Sequence, residues 1–335
     1  MKIIIDIYGG DNAPLAPLKG AEMAVKELGV EIIAVGNEAE MKEICEKEKI
    51  STEGFTFVDA PLVMPVCAEP TSALKEYKES SLVKGLELLS KGEGDAYVGA
   101  GSTGAIVVAA TLIVKRIKGI KRAALASVLP GLEHDYMLLD LGANVECRPE
   151  MLSQFGMMGS VYMKSIEGVE NPTVGLINIG VEESKGTELQ KEAFALMQKA
   201  DYNFIGNVEV RDVPAGACDV AVADGWTGNI VLKTIEGLGK GFGKMLKGMF
   251  MKNILTKLSA VLIKDGIKEF KNKMDSTKRG GAPLLGIAKP VIKAHGNSNP
   301  VAFKNAINQA KIFVDTDING TISAALAKMK EEKSE

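Results

Sequence analysis

The chain has 335 residues, 46% apolar and 25% charged, an ordinary balance for a globular protein. Its 40 Lys and Arg against 43 Asp and Glu leave a formal charge of −3, which argues against a general nucleic-acid binder, since such proteins carry a basic excess. The four cysteines (Cys45, Cys67, Cys147, Cys218) form no CxxC pair and read as reduced thiols of a cytosolic protein. No membrane span of about 18 uncharged apolar residues is expected, and Met1–Tyr8, interrupted by Asp6, reads as a strand, not a secretory segment.

Residues 2–7 (KIIIDI) have strand length and composition. YGGDNAP follows, then a helical pattern through Leu28. The paired glycines Gly9 and Gly10 allow a sharp turn and a close backbone approach to a ligand, and Asp11 or Asn12 is placed to cap the helix. Residues 30–36 form the next strand, Glu38–Lys49 a helix and 55–61 a third strand. This βαβ rhythm predicts a parallel sheet. Pro65 and Pro70 break residues 62–81, a flap or a plain connection, before SALKEYKESSLVKGLELL resumes a helix. Asp95–Gly99 is a strand, and GAGSTG turns into an apolar helix. Free N–H groups there, with the Ser102 and Thr103 hydroxyls, suit an anion, although the GxxxxGK[ST] spacing of a nucleotide loop is missing. Residues 123–129 and 137–141 read as an antiparallel strand pair, with His134 exposed in its turn. GANVECRPE then places Asn144 on a loop edge and Pro149 at a helix start.

Residues 174–233 contain three strand–loop–helix units whose loops are expected on one sheet edge, outside the carboxyl ends of the strands, where open parallel sheets bind ligands. They carry Lys185 in VEESKG, Asn207, Glu209 and Arg211, then Asp224 and GWTGN with Lys233 one turn on. Lys185 alone fits a solvated surface charge equally well. From Gly237 the chain is helical and basic, with apolar residues at helical spacing. We read residues 237–275 as an amphipathic helical hairpin divided at Gly266, serving a membrane surface, a dimer interface or its own domain. The rest of 1–330 forms one α/β/α domain, and 331–335 a frayed tail. Residues 280–299 read as a strand or hairpin ending at His295, and Val301–Ile318 as the final helix.

No CxxC, HExxH, GxSxG or metal-spaced acidic cluster is present, so neither a metal nor another cofactor is called for, and two histidines give little material for acid–base work. Glycine N–H groups, Asn, Thr, Ser and lysines suit phosphate and a developing oxyanion, with catalysis by positioning and electrostatics. A transferase with phosphate as nucleophile fits. A sugar-phosphate or dehydrogenase-like enzyme fits the composition nearly as well.

Together DIYGGDNAP, GAGSTGA, LDLGANVECRPEMLSQF, NPTVGLINIGVEESKGTEL, FIGNVEVRD, DGWTGNIVLKTIEG, GGAPLLG and AHGNSN resemble the PlsX-type phosphate acyltransferases of bacterial phospholipid synthesis over nearly the whole chain. The chain departs from that pattern at Ile7-Tyr8, Ser102, Val210 and near Ser276. The resemblance implies a Rossmann-like α/β/α fold with a mostly parallel, mixed sheet, isocitrate-dehydrogenase-like, plus the protruding helical hairpin. It implies acyl transfer from acyl-carrier protein to inorganic phosphate, giving acyl phosphate for glycerol-phosphate acylation. It also implies a homodimer in the cytoplasm, held peripherally on the inner face of an anionic cell membrane, with the glycerol-phosphate acyltransferase as a possible partner. Lys185 would neutralise the phosphate or thioester oxyanion, and Asn229 and Asn178 would donate to the same centre. Gly9, Gly10, Asp11, Ser102, Thr103 and Gly104 would line the phosphate pocket, with Asn144, Asn207, Asp224, Thr227, Gly228 and His295 beside it. Leu255, Leu258, Val261 and Leu262 would face the membrane. A short-chain acetyltransferase acting on acyl-CoA and a non-enzymatic membrane scaffold are the rival readings.

Overall fold

Short runs of Ile, Val, Leu and Ala bounded by Gly, Asn and Asp set the strands, because branched side chains suit a pleated surface and the flanking residues end it. The computed structural model describes residues 1–273 and 280–331. The strands are β1 (Lys2–Asp6), β2 (Glu31–Gly36), β3 (Phe55–Asp59), β4 (Ala96–Gly99), β5 (Ala124–Leu129), β6 (Tyr136–Leu139), β7 (Thr173–Asn178), β8 (Asn203–Glu209), β9 (Val220–Val222), β10 (Gly281–Leu285) and β11 (Val291–Ala294). The helices are α1 (Leu15–Leu28), α2 (Glu38–Glu48), α3 (Ser81–Lys91), α4 (Thr103–Ala109), α5 (Pro149–Ser165), α6 (Glu188–Met197), α7 (Gly225–Phe250), α8 (Ile254–Leu262), α9 (Lys264–Lys273), α10 (Pro300–Asp315) and α11 (Ile318–Glu331).

All strands join one sheet in the order β3-β2-β1-β4-β11-β10-β5-β6-β9-β7-β8. Helices α1, α2, α5, α6, α10 and α11 cover one face, on Ile3, Ile5, Val98, Met137 and Val174. Helices α3 and α4 and the first turns of α7 pack on the other, over Ile4, Tyr97, Leu138 and Ile177. Burial on both faces explains why the strands read as continuous apolar runs without alternation.

The polarity of this sheet decides where the loops go. Strands β3, β2, β1, β4 and β11 run parallel, and so do β6, β9, β7 and β8. Between the blocks, β10 is antiparallel to β11 and β5, and β5 is antiparallel to β6. These successive reversals leave the two blocks pointing in opposite directions. Their carboxyl ends therefore lie on opposite edges of the sheet, and the loops after β7, β8 and β9 share one edge, as expected for residues 174–233.

Local differences have local causes. Pro14 begins α1 without a side-chain cap, because Asn12 instead donates to the carbonyls of Asn297 and Ser298, both at 3.2 Å. The segment after Pro70 makes one 3₁₀ turn, Pro70–Leu74, and the α-helix starts only at Ser81, capped by Ser80. His134 is exposed, as expected from its turn, with its Nε2 3.3 Å from Asp219 Oδ1. The chain breaks at Asn253, which caps α8, and again at Ile263, while Gly266 lies inside α9. The basic stretch is thus one long helix followed by two short ones, without a hinge at Gly266. Residues 274–275, which close the expected insertion, and Ser276 lie outside the described residues, as do 332–335 of the expected tail. Position 331 ends α11, a second terminal helix. Among the described residues no helix is long and apolar enough to cross a membrane.

Candidate active site

Three loops interlock at the carboxyl ends of β1, β4 and β11. A Cβ on Gly9 would fall 2.4 Å from the Gly101 nitrogen, and Gly10, at φ +98°, sits where a Cβ would meet the Gly296 oxygen at 2.7 Å. The Asp11 N–H donates to that same oxygen at 2.7 Å. Only glycine permits such backbone contact. Under the loops lie two buried charges. The Asp6 carboxylate accepts from Ser81 Oγ at 2.6 Å and from the Tyr8 N–H at 3.1 Å. Burial raises its pKa above the ordinary range, against hydrogen bonds from Ser81, Tyr8 and Gly9. Lys293 donates from Nζ to the carbonyls of Ala100 and Ala294. Burial lowers its pKa to about 8, against the pull of Asp6 and Asp11. Ser102 precedes α4 without a side-chain cap bond, leaving its hydroxyl unused by the helix. Thr103 and Gly104 open α4, and Gly104 lies so near Pro70 that a Cβ would sit 2.7 Å from its ring. The 60–74 segment therefore lies over the helix start. His295 is exposed, and its Nδ1 accepts from the Asn297 N–H at 3.2 Å.

A second group forms on the opposite edge, at the ends of β6, β7, β8 and β9. Buried Asp140 accepts from the N–H groups of Leu125, Ala143 and Asn144 and from Asn144 Nδ2, at 2.7–3.1 Å. Asn144 Nδ2 also reaches the Ala123 carbonyl at 2.7 Å. Asp224 caps α7, accepting from the Thr227 N–H and hydroxyl, both at 2.9 Å. Gly228 is pressed against the Asp140 carbonyl, which a Cβ would approach to 2.0 Å. This close packing sets the first turn of α7, and with it Asn229, against Gly142. Asn178 Nδ2 donates to the Lys185 carbonyl at 3.1 Å, and Asn207 Nδ2 to that of Glu182 at 2.9 Å. Both asparagines brace the 179–186 loop. Lys185 is half-exposed, with its ammonium 3.9 Å from Glu182. Among the described residues the Asn229 amide has no hydrogen-bond partner.

The predicted site residues thus separate into two groups. Gly9, Gly10, Asp11, Ser102, Thr103, Gly104 and His295 share one edge; Asn144, Asn178, Lys185, Asn207, Asp224, Thr227, Gly228 and Asn229 share the other. Asn144 and Thr227 spend their side-chain donors on the protein, whereas Asn178 and Asn207 each commit one of their two amide N–H groups to a loop carbonyl. Asp6, Asp140 and Lys293, charges in or at the end of apolar strands, are not among the expected site residues. The signal was there, since a charge in KIIID, YMLLD or VIKA must find a buried partner. Beside Asn144 and Cys147 lies a cavity of about 360 Å³ lined by Arg116, Gly119, Ile120, Lys121, Arg122 and Arg148, which also went unpredicted. Its charged lining is entirely cationic, which suits an anion.

A family model described as "Fatty acid synthesis protein" matches residues 1–321. A protein named phosphate acyltransferase from Thermoanaerobacter pseudethanolicus is 47% identical over 335 residues, all of both chains. Another of that name, from Clostridium botulinum strain Loch Maree, is 46% identical over 319 residues, 95% of each chain. Among solved structures, the EutD phosphotransacetylase from Staphylococcus aureus superposes with a TM-score of 0.60 at 17% identity, over 93% of this chain and 94% of its own. A phosphotransacetylase from Streptococcus pyogenes gives 0.60 at 17% identity, over 98% and 94%. At that identity the likeness speaks for the fold alone.

Proposed function

We infer, from the premise that the chain belongs to the fatty acid synthesis protein family, that it is a phosphate acyltransferase moving a fatty acyl group from acyl-carrier protein to inorganic phosphate. The observation that carries this reading is the end-to-end match, at 47% identity, to a protein of that name. The chemistry follows from the groups present. An oxygen of bound phosphate attacks the thioester carbonyl carbon, the carbonyl electrons move onto oxygen, and the oxyanion collapses with loss of the carrier thiolate, which takes up a proton. Acyl phosphate and free carrier result, and no protein atom becomes acylated. Lys185 and Asn229, held by the braced 179–186 loop and the fixed start of α7, stabilise the oxyanion. The glycine loops and the start of α4 offer N–H groups to phosphate.

Finer features fit the same reading. The cationic cavity beside Asn144 suits the acidic carrier. A homodimer accounts for the exposed apolar face of α7. Leu255, Leu258, Val261 and Leu262 are all exposed on α8, with Leu262 at 87%, and Lys252, Lys257 and Lys264 flank them. That pattern fits shallow insertion into an anionic membrane on its cytoplasmic side. There a glycerol-phosphate acyltransferase would consume the labile product. The test is to incubate the protein with phosphate and either long-chain acyl-carrier protein or acetyl-CoA, trapping acyl phosphate as the hydroxamate. Product from the carrier substrate supports the reading. Product from acetyl-CoA alone would favour a short-chain acetyltransferase, and none from either a scaffold.

A further inference from the structure

Lysine is the unexpected residue of β11. Lys293 is only 9% exposed, in a strand whose other positions are Val, Ile and Ala. Taking an ammonium out of water is costly, and a buried ion pair is seldom more stable than apolar side chains of the same volume. Packing of the sheet alone does not call for it. The Lys293 Nζ donates to the carbonyls of Ala100, at 3.2 Å, and Ala294, within the electrostatic reach of Asp6 and Asp11. Ala100 belongs to the loop between β4 and α4, and Ala294 ends β11, where the turn through His295 begins. One ammonium thus ties two loops from beneath. Asp6, held by Ser81 and the N–H groups of Tyr8 and Gly9, ties in the third, the Gly9–Gly10 turn.

We propose that Lys293 is a positioning residue for phosphate, its ammonium drawing two loop carbonyls inward and so turning the N–H groups of Gly101 and His295 toward the anion. The inference rests on the phosphate reading of these loops given above. The geometry follows from the planar trans peptide, in which C=O and N–H point in opposite directions. With the Ala100 carbonyl aimed at Nζ, the Gly101 N–H is aimed away from it. The Ala294 carbonyl does the same for the His295 N–H. Direct attraction is the smaller effect, because the Asp6 carboxylate opposes the field of the ammonium. What phosphate gains is the fixed direction of two peptide dipoles, close to the Ser102 hydroxyl that α4 leaves unused.

Kinetics and hydrogen exchange test this on two variants. Lys293→Met keeps much of the side-chain length and removes the donors, and Asp6→Asn with Lys293→Met leaves no charge buried alone. In both, the KM for phosphate should rise about tenfold or more, the scale of one charged hydrogen bond, while the KM for acyl-carrier protein stays at its wild-type value. A merely structural lysine would lower the amount of active enzyme and move neither KM. An unchanged phosphate KM, or an equal rise for the carrier, overturns the proposal. Hydrogen exchange reads the same point without turnover. Inorganic phosphate should slow exchange of the amides of 101–104 and 295–298 in the wild-type protein and leave them unslowed in the variants. Equal protection in all three proteins overturns the positioning role, and no protection in the wild type overturns phosphate at these loops. Protected loops in a wild-type protein that makes no acyl phosphate overturn the reaction and leave exchange in the variants to decide the role of Lys293.

Discussion

Two glycines of α7 should respond to alanine in opposite directions. At Gly228 the new methyl would fall 2.0 Å from the Asp140 carbonyl oxygen, and at Gly237, in the same helix, it would meet nothing within 4 Å. Ordinary contact needs more than 3.4 Å, so Gly228→Ala must push the α7 start or the Asp140 loop apart by about 1.4 Å. Overpacking of that kind costs roughly 1–3 kcal/mol. It also moves Asn229, the adjoining residue, and a 1 Å displacement near the chemistry can cost about a hundredfold in rate. Gly237→Ala replaces a flexible exposed helix residue with the best helix former and should stabilise by about 0.5–1 kcal/mol with turnover unchanged. Urea midpoints and the rate of acyl-phosphate formation read both effects. A Gly228→Ala protein with wild-type midpoint and rate would refute the close packing at Asp140 as the device that sets Asn229.

Lys185→Ala should lower acyl-phosphate formation by about two to three orders of magnitude. Its melting should be unchanged, since the side chain is half-exposed; near-normal turnover would remove the lysine from the mechanism. Lys293 carries a pKa of about 8 in the fold, against about 10.4 unfolded. Between those values unfolding takes up a proton, so stability should rise with pH across that window. The rise should be smaller in Lys293→Met, and equal slopes of urea midpoint against pH in the two proteins would contradict the buried charge. Replacing Leu258 and Leu262 with Glu should release the protein from anionic liposomes in a flotation assay while leaving soluble turnover intact, and unchanged flotation would exclude α8 as the membrane element.

How far the sequence reached follows from the range of each signal. The β–α alternation of KIIIDI, VEIIAVG and FTFVDAP, the antiparallel pair around His134 and the glycine turns are local, and each produced the expected element within a few residues. The Gly9–Gly10 turn stood out as a backbone turn, while Lys185 and Asn229 gained their roles from the family resemblance, since Lys185 alone fits a solvated surface charge equally well. The use of each polar group was not local. By resemblance Asn144, Asn178 and Asn207 are substrate-side residues, and the fold shows each of them also donating to a backbone carbonyl of its own chain. Asp6, Asp140 and Lys293 looked like interruptions of apolar runs until the fold gave them partners. What the sequence determined by itself is the set of strands and helices and the kind of chemistry their loops carry. The sheet edge that each loop reaches was decided by tertiary structure alone, because strand direction depends on which distant neighbours pair, and two antiparallel strands, β10 and β5, turn half of the sheet against the other.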